Sequence, residues 1–431
     1  LACDALIAAD LIALPEGESA ASELVHASGE PVYSFRQGLV RDAAYELLAR
    51  RDRRRLHGII GRQLTSADGS WPNGAELAVL AHHLVRGDDP ARAAEAAVVA
   101  GEDASGSFAN LEAMRWFSMA IGAIDEAGRA TSLRRVARLG LTEPATQLLD
   151  QWRHRARCGL GVAALAVSDV AAARASLTEA LTAAERDRSL SPQEPDLCRL
   201  IARSYELGGA SYVSALEWVD RGLTSAGAEW SGPDEVEMVR AGTGSASAIA
   251  RLCLVAGLAR MRLGEYATAA TWAARAMHIA KDAVPLEAAS GALGLDLAQA
   301  HNLSCILLHL RGETEAALAA GEESLRRYRA LGDLVGQEKA HSNVADALLE
   351  LGRTNESIAH FRASQELARR VGDPVRMAAS LLNMGQALTV IGDEAGALDG
   401  YQQAVESLDR LGHVEGASIC RTNMAGIYVS M

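Results

Sequence analysis

Residues 372–412 read GDPVRMAASLLNMGQALTVIGDEAGALDGYQQAVESLDRLG, two apolar-patterned stretches each closed by glycine. In the second stretch Ala397, Tyr401, Ala404, Leu408 and Leu411 step by four, three, four and three, which puts all five on one helical face. Leu381, Met384, Gly385 and Leu388 do the same in the first. Small residues at Gly385, Ala397 and Ala404 let two such helices approach closely, while the Tyr401 ring fills the next groove.

The pattern repeats outward. Gly312, Gly332, Gly352, Gly372, Gly392 and Gly412 recur every 20 residues, and five of them follow Leu, Val or Ile. That spacing is one helix and one turn. Glycine suits a left-handed helix C-terminus, and Asp333, Asp373 or Asp393 after it suits an N-cap. The unit is therefore a helical hairpin of 40 residues.

This unit resembles the tetratricopeptide family. The family's small and aromatic positions are met best over 378–411 and again over 338–371 through Ala345 and Phe361, with Ser357 and Ser364 in place of alanine. A further unit lies at 246–280, carried by Gly257, Leu263-Gly264-Glu265, Ala269, Ala273 and Ala276. Alanine-rich stretches at 156–185 and 197–226 read as degenerate hairpins. The prolines of Ser191-Pro192-Gln193-Glu194-Pro195 and Ser231-Gly232-Pro233 mark linkers.

Composition agrees with close helix packing. Of 431 residues, 49% are hydrophobic but only 4% aromatic, so the core is built from Ala, Leu, Val and Ile, and an all-β sandwich is disfavoured. The net charge of −13 repels nucleic acid and anionic membrane. Lys281 and Lys339 are the only lysines and neither follows glycine, which removes the Gly-Lys-Ser/Thr core of a phosphate-binding loop. The remaining basic residues are all arginine, a bias that fits a GC-rich bacterial genome.

The six cysteines form no Cys-x-x-Cys pair and read as reduced core residues. No metal site, catalytic triad or cofactor is expected: adjacent His82 and His83 point about 100° apart on a helix, His26 and His57 lack partners at ligand spacing, and Gly-x-Ser-x-Gly is missing. No apolar run reaches the roughly 18 residues of a membrane span, and a cytoplasmic location is the expectation.

Residues 1–65 break the rhythm: an apolar helix through Leu14, a polar loop from Pro15 to Glu30, an extended Val32-Tyr33-Ser34-Phe35, and a helix from Leu39. Phe35-Arg36-Gln37-Gly38-Leu39-Val40-Arg41-Asp42-Ala43-Ala44-Tyr45-Glu46 with Arg54-Arg55-Leu56-His57, and then Leu80-Ala81-His82-His83-Leu84 and Ala100-Gly101-Glu102-Asp103-Ala104, resemble the segment that joins ATPase to repeat arm in signal-transduction ATPases of the STAND class. Gln37 and Gly38 stand where that family commonly has histidine and alanine. The resemblance implies a winged-helix-like remnant, an upstream ATPase module, and an effector elsewhere. In relatives that effector is a class III adenylate or guanylate cyclase or a LuxR-type helix-turn-helix.

The expected architecture is thus all-α: a winged-helix-like remnant over 1–65, an irregular, degenerate repeat region over 66–240, and a tetratricopeptide-like α-solenoid over 241–431 that stops mid-repeat, as an excerpt of a longer protein would. The chain reads as a non-catalytic sensor or scaffold arm. A cyclase's regulatory tail and a freestanding adaptor are the alternatives.

Two groups of residues are candidate sites. Asn343, Asn383 and Asn423 sit 40 residues apart on successive first helices, and Lys339, Ser342, Asp346 and Gln386 share that face. If first helices line a concave groove, the asparagine amides either bind the backbone of an extended peptide or bond a neighbouring helix and stabilise the stack; both readings stand open. Arg50, Arg51, Arg53, Arg54 and Arg55 form the one dense basic run, expected to spread round most of a helix, either as a solvated face or as guanidinium forks that hold phosphates or contact a nucleotide-bound neighbouring domain.

Overall fold

The computed structural model describes residues 11–13, 34–66, 70–107, 109–132, 143–187, 189–190, 193–208, 211–230, 232, 235–236, 238–240, 246–282, 292–372, 374–411 and 413–431. They divide into two compact units, Leu1–Ala180 and Leu181–Met431.

In the first unit Ile12–Ala13 (β1) pairs antiparallel with Ser34–Phe35 (β2). Ile12 and Ala13 were expected to end an apolar helix; strand pairing holds them extended instead. The rest of that helix and the polar loop after it lie outside the described residues. Helices α1 (Gly38–Leu47), α2 (Arg50–Leu64), α3 (Gly74–Arg86), α4 (Pro90–Gly106), α5 (Asn110–Ser132) and α6 (Glu143–Ala166) follow. The last helix, α7 (Val170–Arg186), contains the boundary between units.

Glycines set the close approaches here. A Cβ on Gly61 would lie 2.7 Å from Leu84, and the Phe117 ring occupies the space that side chains on Gly101 and Gly159 would need. Phe117 is accordingly 1% exposed.

The second unit is a run of hairpins: α8 (Glu194–Leu207) with α9 (Tyr212–Ala226), α10 (Ala246–Arg262) with α11 (Tyr266–Asp282), α12 (Ala292–Leu310) with α13 (Thr314–Leu331), α14 (Leu334–Glu350) with α15 (Thr354–Val371), and α16 (Pro374–Val390) with α17 (Glu394–Arg410). Helix α18 (Val414–Ser430) packs on α17. From α13 onward helices begin every 20 residues, as the glycine spacing requires.

Gly312, Gly332, Gly352, Gly372 and Gly392 all hold φ between +68° and +80°, the left-handed region where a Cβ is strained. Gly412 lies outside the described residues. Asp333 and Asp393 cap the next helix by accepting from the amides of Gly336 and Gly396 at 2.9 and 3.0 Å.

The core follows the small-and-aromatic pattern. Tyr401 is 1% exposed and packs on Gly385, where a Cβ would stand 2.7 Å from the ring. The serines that replace alanine are buried with partners: Ser357 donates to the Ala345 carbonyl at 2.8 Å, and Ser364 bonds Glu338 and Ser380. Between α9 and α10, Glu229–Trp230 (β3) pairs with Met238–Arg240 (β4). Arg275 of α11 pins this ribbon, its guanidinium 4.5 Å from the rings of both Trp230 and Trp272 and donating to the carbonyls of Glu235 and Gly232.

First helices of successive hairpins touch each other directly, from α8–α10 through α16–α18, whereas second helices make no comparable contact among the described residues. A stack closer along one side curves toward it, so within this unit the first helices form the inner face.

Candidate functional site on the inner helix face

Lys339, Ser342, Asn343 and Asp346 fall at i, i+3, i+4 and i+7 on α14 and share one stripe of that first helix. Asn343 donates from Nδ2 to Oδ1 of Asn302 on α12 at 2.9 Å, and Asn383 of α16 donates to Oγ of Ser342 at 2.9 Å. The register between neighbouring first helices is therefore 41 residues, one more than the sequence period.

That register explains the third asparagine. The residue 41 before Asn423 is Leu382, whose side chain accepts nothing, and Asn423 instead stands beside the Tyr401 hydroxyl of α17. Two rungs of the expected row therefore join first helix to first helix, and the third turns onto its neighbouring second helix. Gln386 is exposed on α16.

Charge on this face is concentrated and partly desolvated. Lys339 keeps an exposed surface, yet the surrounding protein, then Arg376 and Arg203, pull its ammonium below the usual lysine range. Arg203 belongs to α8, three hairpins before α14. At the other end of the stripe, burial and then the Glu350 carboxylate push Asp346 up to about 7.

Sequence reasoning missed three supporting groups. Asn302 lies outside the 40-residue period. Glu338, nearly buried, accepts from Arg376 at 2.8 Å. Asp296 of α12 is fully buried and accepts from Arg251 of α10 at 2.7 Å and from the Ser247 hydroxyl at 2.5 Å. The single charged residues that supply these pairs carry no motif that spacing could find.

The arginine run lies in the first unit on α2. Arg50, Arg51, Arg54 and Arg55, with Asp88 from the α3–α4 turn, line one concavity of about 500 Å³. At 100° per residue these four span about 140°, and Arg53, on another side where it pairs with Glu46 at 3.1 Å, widens the spread of the whole run to about 200°. Arg54 also donates to the Gly87 carbonyl at 3.0 Å and pairs with Glu126 at 2.8 Å, which ties α2 to α3 and α5.

Nearby, His57 is buried between Tyr45 and His83, with Nε2 at 2.9 Å from the tyrosine hydroxyl and Nδ1 at 3.0 Å from His83 Nδ1. His83 is half-buried and His82 exposed. Among the described residues no three His, Cys, Asp or Glu side chains are arranged to hold a metal. Cys198, Cys253, Cys305 and Cys420 are buried free thiols, and burial pushes the first three up to about 12, which leaves them unreactive. No helix among the described residues is long and apolar enough to cross a membrane.

Residues 336–410 match the tetratricopeptide repeat family. A search of curated protein sequences gives no match. Among solved structures, the chain is similar to a signal transduction ATPase with numerous domains and a tetratricopeptide repeat sensor from Pyrococcus horikoshii, at 12% identity and TM-score 0.49, over 95% of this chain and 58% of that one. Aspartyl phosphate phosphatase F from Bacillus subtilis is similar at 9% identity and TM-score 0.45, over 77% of this chain and 93% of that one. BtubC from P. vanneervenii is similar at 14% identity and TM-score 0.44, over 56% and 91%. The matched repeats, the left-handed glycines between helices and the hairpin stacking make this an all-α, tetratricopeptide-like α-solenoid.

Proposed function

We propose that the chain is a non-catalytic protein-interaction scaffold whose inner helix face takes an extended peptide segment of a partner. The observation that carries this reading is the polar stripe of α12, α14 and α16. Asn383 uses one N–H on Ser342, which leaves its second N–H and its carbonyl oxygen to pair with a peptide backbone. Lys339 at one end and Asp346 at the other supply charge, and Gln386 extends the stripe.

Within the same proposal the chain is the sensor arm of a bacterial, cytoplasmic signal-transduction ATPase. Support comes from the resemblance over 35–57, 80–84 and 100–104, which also suggests a winged-helix-like element within 1–65, ahead of the irregular region 66–240 and the repeats of 241–431. Partner binding then biases an off/on equilibrium of the ATPase through its different affinity for the two states. Arg50, Arg51, Arg53, Arg54 and Arg55 are the proposed contact with that module. The effector, a cyclase or a helix-turn-helix, lies outside these residues in this reading.

The arm reading is tested by translating the coding DNA upstream of Leu1: an in-frame phosphate-binding loop is expected, and a nearby start codon overturns it. The peptide reading is tested separately, by binding to Asn343→Ala and Asn383→Ala variants. Each is expected to lose at least tenfold in peptide affinity, and unchanged affinity overturns the groove assignment.

A further inference from the structure

The basic concavity on α2 is poorly explained as a solvated helix face. Arg50 and Arg54, and Arg51 and Arg55, are like-charge pairs at i,i+4, which repel. They occupy the first two turns, where the helix end is already positive, and the N-cap is Ala49, which makes no side-chain hydrogen bond to the amides there. Asp52 in the same turn offsets only one of these charges, so the remaining terms disfavour the helix unless an anion is present.

Two of the five lining side chains are held in place by protein partners. Arg54 is held by the Gly87 carbonyl and Glu126, and Asp88 is held by Arg62 at 3.3 Å. Four guanidinium groups and one carboxylate give the concavity a local charge of 4 − 1 = +3, on a chain whose net charge is −13. Arg50, Arg51 and Arg55 are exposed and form no ion pair among the described residues.

We infer that this concavity is a polyphosphate-binding site, filled by a chain of two or three linked phosphates whether free or part of a nucleotide. Guanidinium forks match phosphate oxygens in bidentate pairs. The four arginines rise only about 7.5 Å along the helix, at 1.5 Å per residue. Linked phosphates deliver three or more negative charges within that span. An extended acidic peptide presents same-face carboxylates about 6.6 Å apart and places at most two there. The inference rests neither on the peptide reading of the inner helix face nor on the module contact proposed for the same arginines, and each can fail alone.

The test is calorimetric titration of the full 431-residue chain with inorganic tripolyphosphate, with orthophosphate and hexaglutamate as comparators. Tripolyphosphate is expected to bind at least tenfold tighter than either comparator, and more weakly as salt rises from 50 to 200 mM. Arg51→Ala/Arg55→Ala should weaken it at least tenfold without lowering the thermal midpoint, because removing cations from a helix N-terminus does not destabilise it. Arg51→Lys/Arg55→Lys keeps the charge but not the fork and should restore only part of the loss. Absence of binding at 1 mM, equal binding by the alanine variant, or tighter binding of hexaglutamate overturns the assignment.

Discussion

The side chain of Asn383 donates to the hydroxyl of Ser342, 41 residues earlier, at 2.9 Å, and so ties one first helix to the next. The bond stabilises the stack and orients the rest of the amide. Asn383→Ala is therefore expected to cost about 1 kcal/mol, the net value of one hydrogen bond, and more than that in peptide affinity. Urea unfolding together with binding separates the two; a loss of several kcal/mol with unaltered binding makes the residue purely structural.

The Arg251–Asp296 pair joins α10 to α12 with its carboxylate fully buried. Removing the arginine leaves that buried carboxylate without its counter-charge, so Arg251→Ala should cost about 3–5 kcal/mol. Equilibrium unfolding in urea checks this, and a cost below about 1 kcal/mol would mean that water reaches the site.

Two glycine substitutions should both destabilise, for different reasons. Gly385→Ala pushes a methyl group against Tyr401 and is expected to cost about 1–3 kcal/mol through overpacking. Gly352→Ala meets no neighbouring atom but is held at φ +73°, so about 1–2 kcal/mol of backbone strain is expected. Thermal midpoints of both variants test the turn and groove roles together.

These glycines were legible in the sequence because left-handed turns and close helix crossings admit few other residues, and a 20-residue beat exposes them. The hairpins, their face of Ala397, Tyr401 and Ala404, and the capping aspartates could be read for the same reason. The 41-residue register could not. It depends on how far each hairpin shifts along its neighbour, and it decides that Asn343 and Asn383 find Asn302 and Ser342 while Asn423 meets Leu382 and turns to Tyr401. Likewise the concavity on α2 needed the α3–α4 turn, whose Asp88 is distant in sequence from the arginines.

Acidity and alkalinity should act through different groups. Burial lowers His57, His301 and His341 to about 4, below their usual 6.5, so between those values the unfolded chain binds more protons and stability falls as pH drops. Asp346 works in the opposite sense. Its carboxyl, raised from 3.8 to about 7, binds more protons when folded, so its contribution declines as pH rises from 3.8 through 7. Three histidines outweigh one carboxyl, so stability is expected to rise from pH 4 to about 7 and then level off. Thermal midpoints from pH 4 to 8 check this, and Asp346→Asn should steepen the rise between pH 5 and 7, whereas an unchanged slope would mean that Asp346 is not raised by its surroundings.

The most direct measurement of the central claim is a selection of random peptides displayed against the full chain, followed by hydrogen exchange on the complex with the best binder. The account predicts peptides that protect α12, α14 and α16 and lose at least tenfold in affinity to an Asn343→Ala/Asn383→Ala double variant. Peptides that protect only second helices, or that bind the double variant equally well, would contradict it.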